Sequence, residues 1–305
     1  MTKGSDIPDV SEYFQKMGHE LDHETHVVSL SELKRAPFDV YVCKQELGDL
    51  VLVPPRSCHQ VVNAGGITLK TSWSRMSLMG LTIALYHELP LYQRYGYPFR
   101  TIGPLPEFSL NRVCRFATYR VKSTIFHSMR SQTDELRALL EGRNERRTRQ
   151  IIRSLKTLFV AFAEILDQEY VPPSLEIAPL ALEDGHPAED STLWCHFCGA
   201  DIFQGYLDCR ECSPKEEKAF NICAACFVDG RSCRCRRMRL KRVFSFEDLI
   251  QAHRSAAEVL RRSGEDGIMP FQPRQEHSSL FLAACLLHGQ RDVAMTFFWL
   301  ASLSL

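Results

Sequence analysis

The chain has 305 residues, 45% of them hydrophobic, and its 37 Lys and Arg are balanced by 37 Asp and Glu. This length suits two or three modest domains, and the zero net charge excludes a global attraction to nucleic acid or to an acidic membrane. The N-terminus lacks the apolar run of a secretory signal, so the 12 cysteines predict metal binding and free thiols in a reducing intracellular compartment rather than disulfides.

A polar run at 18–26 contains three histidines, His19, His23 and His26, together with several carboxylates. None of the three has Asp or Glu two places further on, so the run lacks the paired ligands that an iron facial triad takes from one short turn. We expect it to be a solvated connection between a helix and a strand.

Four short apolar runs, at 39–43, 49–53, 60–62 and 67–73, predict strands. His59 follows a stiff Pro54-Pro55 corner, and a strand end after such a corner can hold an imidazole at a fixed position. Two interpretations of His59 stay open, a core histidine bonded to the backbone and a metal ligand or general base.

The spacing of Gly48, Pro54, His59 and Asn63 resembles the second signature motif of the cupin barrel, with Arg56 where that motif usually has Gly. In that comparison, His59 corresponds to a metal-binding histidine of the barrel. The resemblance therefore favours the metal-ligand interpretation of this residue.

Together with residues 65–75, the same stretch resembles the end of a JmjC domain, most closely of the fungal type. The resemblance covers about residues 6–93 and is specific over Gly48–Arg75. It implies an Fe(II)- and 2-oxoglutarate-dependent oxygenase in which His59 is the third iron ligand and an H-x-D/E pair supplies the other two. No histidine of this chain begins an H-x-D/E pair, so we expect His59 to be a vestigial ligand and the chain to be inactive by itself.

The same resemblance places three polar residues, Asn63, Thr71 and Ser72, in the pocket for substrate and cosubstrate. It suggests Lys70 as an anchor for 2-oxoglutarate, although the family's basic anchor usually lies further upstream. Thr71 and Ser72 are equally typical of a strand and its end.

Four strands are half of an eight-stranded cupin, and a half-built barrel exposes strand edges and an apolar inner face. We therefore expect the chain to be a fragment of a longer protein, a mis-predicted gene product, or a protein that borrows a partner's strands.

Apolar residues at helical spacing predict helices over 76–94, within 113–170 and over 244–262. The widest stripe, over 151–166, should pack on a barrel or another helix. Prolines and missing periodicity mark 95–111 as an irregular insertion and 171–193 as a linker.

Eight cysteines stand in four close pairs after the linker. They are Cys195 and Cys198, Cys209 and Cys212, Cys223 and Cys226, and Cys233 and Cys235. Each pair can span one edge of a tetrahedron, so four pairs predict two all-thiolate, structural zinc sites. The pairing can be sequential or interleaved, and the spacing does not decide between them.

A basic segment, Arg231–Arg242, surrounds the last cysteine pair with seven basic residues in twelve and no acidic residue. Because its charges add, we expect contact with DNA phosphate or an acidic peptide, with plain solvation as the alternative. The apolar runs of 280–305 are too short to span a membrane and predict a buried helical hairpin.

The predicted fold class is α+β, with a partial cupin/JmjC β-barrel, a helical region, a small eight-cysteine two-zinc module and a helical C-terminus. We divide the chain into a barrel half (1–94), an insertion (95–111), a helical region (112–170), a linker (171–193), a zinc-binding module (194–243) and a helical tail (244–305). We expect a nuclear, chromatin-associated protein related to histone lysine demethylases and protein hydroxylases that contacts DNA or a histone tail. A non-enzymatic zinc-finger regulator, and an oxygenase that becomes active when the missing part is supplied, are the alternatives.

Overall fold

The structure is a computed structural model, which describes residues 1–21, 26–63, 65–66, 68–71, 77–90, 120–142, 144–172, 193–200, 202–212, 220–273 and 279–290. The chain divides into two compact units, Met1–Arg75 and Met76–Leu305. The predicted insertion at 95–111 lies outside the described residues, as does most of the predicted linker.

The first unit contains two helices, α1 (Ile7–Lys16) and α2 (Leu30–Arg35), preceded by a 3-10 turn at Gly4–Asp6. Helix α1 has a proline in its first turn, where no hydrogen-bonded N–H is needed. Helix α2 begins with a capping box, in which the Ser29 hydroxyl and the Glu32 carboxylate each accept the other residue's backbone N–H.

The four strands predicted in this unit are absent from its described residues. The apolar side chains of those runs are exposed instead, with Val42 at 83%, Leu52 at 79% and Leu69 at 93%. A strand is stable only when a neighbouring strand accepts and donates its backbone hydrogen bonds. The prediction was wrong here because alternating β-branched residues give a strand propensity but not a partner.

The second unit is built on four longer helical segments. Their bounds are α3 (Leu78–Ile83) continued by a π-helical turn (Ala84–Glu88), α4 (Val121–Leu140), α5 (Glu145–Glu169) and α7 (Phe246–Arg262). The predicted stripe of α5 is confirmed, since Leu155, Phe162 and Ile165 are fully buried. It packs on α4 and α7, which agrees with the expectation of a helical partner.

A small antiparallel sheet stands beside these helices, with strand order β2–β1–β3. The strands are β1 (Gly205–Cys209), β2 (Phe220–Cys223) and β3 (Arg239–Arg242), and a short helix α6 (Ala224–Val228) follows β2. Leu207 pairs with Ile222 on one side and Leu240 on the other, and all three are buried. This face of the sheet contributes to the common core of the unit.

A buried carboxylate, Glu169 at the end of α5, fastens the helices to the sheet. Its Oε1 lies 3.1 Å from the Lys122 Nζ of α4, and both side chains are about nine-tenths buried. Its Oε2 accepts the N–H of Gly205, the first residue of β1, at 3.0 Å. Both oxygens of the buried charge are thus paired, which burial of a carboxylate requires.

The described end of the chain is helical over 280–290 and packs near the sheet. A Cβ at Gly205 would overlap the ring of Phe281, which is 1% exposed, so glycine is needed for this close approach. His288 Nε2 donates to the backbone oxygen of Met238 at 2.7 Å.

Within the part of the chain that the structure describes, no helix is long and apolar enough to cross a bilayer.

One histidine of the helical core, His253 on α7, is fully buried. Its ring stacks on Phe159 at 3.8 Å between centroids, its Nδ1 accepts the N–H of Phe271 at 3.0 Å, and its Nε2 faces the Phe159 carbonyl oxygen at 3.3 Å. Nδ1 is therefore the acceptor, and Nε2 carries the single proton of the neutral ring. Burial lowers the pKa of this imidazole to about 4.

We predict that acid destabilises the protein through His253. Below pH about 6.5 the unfolded chain binds a proton at this residue, while the folded chain does not until about pH 4, so stability present above pH 6.5 is lost as the pH falls. The full loss is on the order of 3 kcal/mol. Urea unfolding of wild type and His253→Gln at pH 7 and pH 5 should show a smaller pH effect in the variant. The exposed His87→Gln is the control, and an equal pH effect in His253→Gln and wild type would contradict the prediction.

Candidate metal centre

The eight paired cysteines form two separate groups in the folded chain. Centre 1 consists of Cys195, Cys198, Cys223 and Cys226, and centre 2 of Cys209, Cys212, Cys233 and Cys235. Within each group the sulfur atoms all lie within 4.8 Å of one another. The first pair of cysteines thus joins the third and the second joins the fourth, so the arrangement is interleaved.

Local backbone geometry places each pair of sulfurs. In centre 1, the turn after Cys195 closes through the N–H of Gly199, which reaches the Cys195 carbonyl at 2.8 Å, and Gly199 has the positive φ of 70° that such a turn requires. Cys223 caps helix α6, accepting the N–H of Cys226 on its sulfur at 3.5 Å. One helical turn thereby brings the second thiol of the pair beside the first.

The β1–β2 ladder separates the two centres. Cys223 lies opposite Tyr206 at one end of the ladder, and Cys209 lies opposite Phe220 at the other end, three positions away. Because side chains alternate between the two faces of a sheet, an odd separation directs these two ligands to opposite faces. The sheet therefore holds one centre at each end of its central hairpin.

The sulfur separations fit a tetrahedral zinc ion. A Zn–S bond of about 2.3 Å gives a tetrahedron with sulfur–sulfur edges of about 3.8 Å. In centre 1 the Cys198 and Cys223 sulfurs are 3.8 Å apart, and in centre 2 the Cys235 sulfur lies 3.4 Å from those of Cys209 and Cys233. All eight residues are free cysteines, so each group can offer four thiolates and leave no open coordination position.

The crowded thiols also differ in acidity. Hydrogen bonds from Cys198, Cys223 and Cys226 lower the pKa of the Cys195 thiol. In centre 2, the backbone N–H of Arg237 lowers the pKa of the Cys235 thiol to about 7. A metal ion displaces the protons of the remaining thiols, so its affinity should fall as the pH falls.

The two centres differ in exposure and in their neighbours. All four cysteines of centre 1 are buried, whereas Cys212 and Cys235 of centre 2 are partly exposed. Near centre 1, the Arg231 guanidinium donates to the Cys226 sulfur at 3.4 Å. This cation offsets part of the negative charge that four thiolates carry around one divalent ion.

Acidic residues from elsewhere in the module reach the basic segment 231–242. The buried Asp208 lies 3.4 Å from Arg239 and 3.6 Å from Lys241, and Glu211 lies 2.6 Å from Arg237. The expectation that the charges of this segment simply add was therefore too strong. Asp208 directly precedes the second cysteine pair in the sequence and Glu211 lies within it. The antiparallel pairing of β1 with β3 brings Asp208 opposite Arg239.

The residues suggested by the cupin resemblance lie in the first unit and are exposed. His59 Nδ1 lies 3.2 Å from the Ser57 carbonyl oxygen, and Lys70 Nζ donates to Asn63 Oδ1 at 3.0 Å. Thr71 is exposed, and Ser72 falls outside the described residues. Among the described histidines, cysteines and carboxylates, no metal-binding group forms around His59.

Two further observations bear on this unit. Arg56, which stands at the usual glycine of the motif, has a φ of 62°, so the turn keeps the left-handed geometry that favours glycine. The expected solvated run is partly ordered by contacts, since His19 stacks on His26 at 3.8 Å and His26 lies 3.1 Å from Glu32.

Residues 7–74 match the family model described as JmjC domain, hydroxylase. We call residues 7–74 the JmjC segment, after the family model that they match. The match confirms the family that the Gly48–Arg75 pattern resembles, and it ends where the first compact unit ends, within one residue.

A curated relative covers more of the chain than the JmjC segment does. C-module-binding factor A of Dictyostelium discoideum is 26% identical over an alignment of 229 residues, and the match covers 71% of this chain and 21% of that protein. The chain thus spans about a fifth of the length of the relative it matches. No solved structure matches the chain.

We predict that paired substitutions distinguish the interleaved from the sequential arrangement. Cys195→Ser with Cys223→Ser alters centre 1 only, and the chain should keep about one zinc ion, whereas Cys195→Ser with Cys209→Ser alters both centres and should keep none. Metal analysis after dialysis measures the zinc content. Cys43→Ser, at an exposed cysteine outside both centres, should keep about two. No zinc in the variant at Cys195 and Cys223, together with about one zinc ion in the variant at Cys195 and Cys209, would instead establish sequential pairing.

Proposed function

We propose that this chain is a JmjC-related, chromatin-associated protein of the nucleus that binds DNA phosphate through its zinc module and performs no oxygenase turnover by itself. The observation that carries the proposal is the position of the exposed arginines. Arg234 lies between the two centre 2 ligands Cys233 and Cys235, and Arg236 and Arg237 follow directly. A closed zinc site would hold these cations in one place before any partner arrives.

Carboxylate neighbours neutralise part of the positive charge of the basic segment, but the exposed arginines beside centre 2 remain available to a partner. Arg237 and Arg239 have carboxylate neighbours, whereas Arg234 and Arg236 form no ion pair within 4.0 Å among the described residues. Both side chains are exposed. Phosphate contacts from such arginines add favourable free energy because they release counterions condensed on the nucleic acid.

Charge also favours DNA over a histone tail as the partner. A histone tail is rich in lysine and arginine, so it would meet like charge at Arg234 and Arg236. Like charges brought together at an interface cost several kcal/mol, whereas a phosphate backbone complements the same residues. The name of the Dictyostelium relative, which describes a binding factor, is compatible with a binding role for the shared region.

Replacing Arg234 and Arg236 by glutamine should weaken DNA binding about equally for all sequences. Each lost phosphate contact should lower the slope of log affinity against log salt by about one. Fluorescence anisotropy with labelled DNA over a salt series measures both effects. Arg146→Gln with Arg149→Gln, at two exposed arginines of α5, removes the same charge from another surface and is the matched control. Equal affinities for both variants and wild type would contradict a phosphate contact at centre 2.

A second candidate function is supported by the JmjC match itself. If an H-x-D/E pair were supplied by another polypeptide, His59 could complete an iron site of the family. The sequence contains 11 histidines, and none of them has Asp or Glu two places later. One protein ligand is too few to retain iron against water and chelators.

The purified chain should therefore contain about two zinc ions and no stoichiometric iron, and it should not turn over 2-oxoglutarate. Metal analysis and a succinate assay with added Fe(II) test this directly. Stoichiometric iron accompanied by turnover would contradict the proposal. Loss of both in His59→Ala would then assign the activity to the JmjC segment.

A further inference from the structure

We infer that the zinc module carries a stacking surface for single-stranded nucleic acid, formed by an aromatic row beside strand β2. The aromatic row consists of Trp194, His196, Phe220 and Phe197. This inference rests on the proposed function, because it adds base contacts to the phosphate contacts of the same module.

The four rings follow one another at regular short distances. Ring centroids are 6.3 Å apart for Trp194 and His196, 4.9 Å for His196 and Phe220, and 6.1 Å for Phe220 and Phe197. Trp194 is 36% exposed, His196 is exposed, and the two phenylalanines are partly exposed. The row is therefore a continuous aromatic surface that solvent reaches.

The alternation of side chains along an extended segment explains why Trp194 faces away from centre 1. The Ile202 N–H donates to the Leu193 carbonyl at 3.0 Å, and the Cys195 N–H donates to the Ala200 carbonyl at 2.9 Å, so residues 193–195 are extended. In an extended segment, side chains at i−1 and i+1 point to the face opposite to residue i. Cys195 is buried in centre 1, and its extended neighbour Trp194 is accordingly exposed. His196, the first residue of the turn that follows, is exposed as well.

The His196 ring is held rigidly in the row. Its backbone N–H donates to the Asn221 carbonyl at 2.9 Å, and its Nδ1 accepts the Asn221 N–H at 3.0 Å. These bonds come from β2, which also carries Phe220. A ring that is fixed before binding loses little conformational entropy when a base stacks on it.

An arginine lies against the row at its Phe197 member. The Arg231 guanidinium lies 5.6 Å from the centroid of the Phe197 ring. A cation beside the rings is what proteins use where they bind a single strand by its phosphates and bases together.

This combination selects a single strand among polyanions. In a duplex the bases stack on each other and offer only their edges, so separate aromatic rings gain nothing from them. An acidic peptide can pair with the arginines but has no base to stack on Trp194 or His196. The occupant that uses both the rings and the cations is single-stranded DNA or RNA.

The test uses the full chain with two zinc ions, a labelled oligothymidylate of about 20 nucleotides, and a duplex of equal length. The wild type should bind the single strand more tightly than the duplex at equal salt. Trp194→Leu and His196→Ala should each weaken binding of the single strand about fivefold or more, with the salt slope unchanged. Trp194→Phe keeps an aromatic face and should bind as the wild type does. Tyr41→Ala, at an exposed aromatic residue of the first unit, is the control.

The outcomes separate this inference from the proposed function. If Trp194→Leu and His196→Ala bind the single strand as wild type does while the Arg234 and Arg236 variant is weakened, stacking is overturned and the phosphate contact stands. Equal affinity for duplex and single strand, or for polyglutamate and single strand, also overturns stacking. No binding of any polyanion overturns both. A zinc content of about two in each variant shows that the module is intact. Phenylalanine and leucine both fill the space of Trp194, so the comparison of Trp194→Phe with Trp194→Leu isolates the effect of the aromatic face.

Discussion

The interleaved arrangement of two four-cysteine groups is the constraint on which the module at 194–243 depends. Centre 1 joins cysteines that precede β1 to cysteines at the end of β2 and in α6, and centre 2 joins cysteines at and after the end of β1 to cysteines that follow β2. Neither group of four can assemble until these distant segments have come together. A module with three strands of four or five residues has too little apolar area to be stable alone. Metal binding would therefore be coupled to folding of the module, with the ligation free energy offsetting the chain entropy.

The helices give this module a fixed base. Glu169 bonds to Lys122 and to the first residue of β1, and Gly205 allows Phe281 to approach the same strand. The buried aromatic residues Phe126, Phe162 and Phe203 continue the core from the helices to the start of the sheet. A binding surface built on such a base keeps its side chains in place, so little order has to be imposed when a partner binds.

The JmjC segment shows how a family signature can persist without the family's site. At the position where the motif usually has glycine, the turn still has left-handed backbone geometry, although the residue there is Arg56. His59 Nδ1 lies 3.2 Å from the Ser57 carbonyl oxygen, and the strands predicted on either side of it are absent from the described residues. A turn is a local structure and survives by itself, whereas a barrel and a three-ligand iron site both need partners from distant parts of a chain.

Local sequence determined the features whose physics is local. The helical stripe of α5, the helix ending at Arg262 and the eight cysteines that could hold metal ions could all be predicted, because spacing alone defines an amphipathic face or a chelating pair. The tertiary structure decided what depends on contacts between distant residues. It chose the interleaved grouping of the cysteines, brought Asp208 and Glu211 to the basic segment, and placed the rings of Trp194, His196 and Phe197 in a row with Phe220 of β2. Among its described residues, the first unit contains none of the predicted strands, because a strand needs a neighbour that propensity cannot supply.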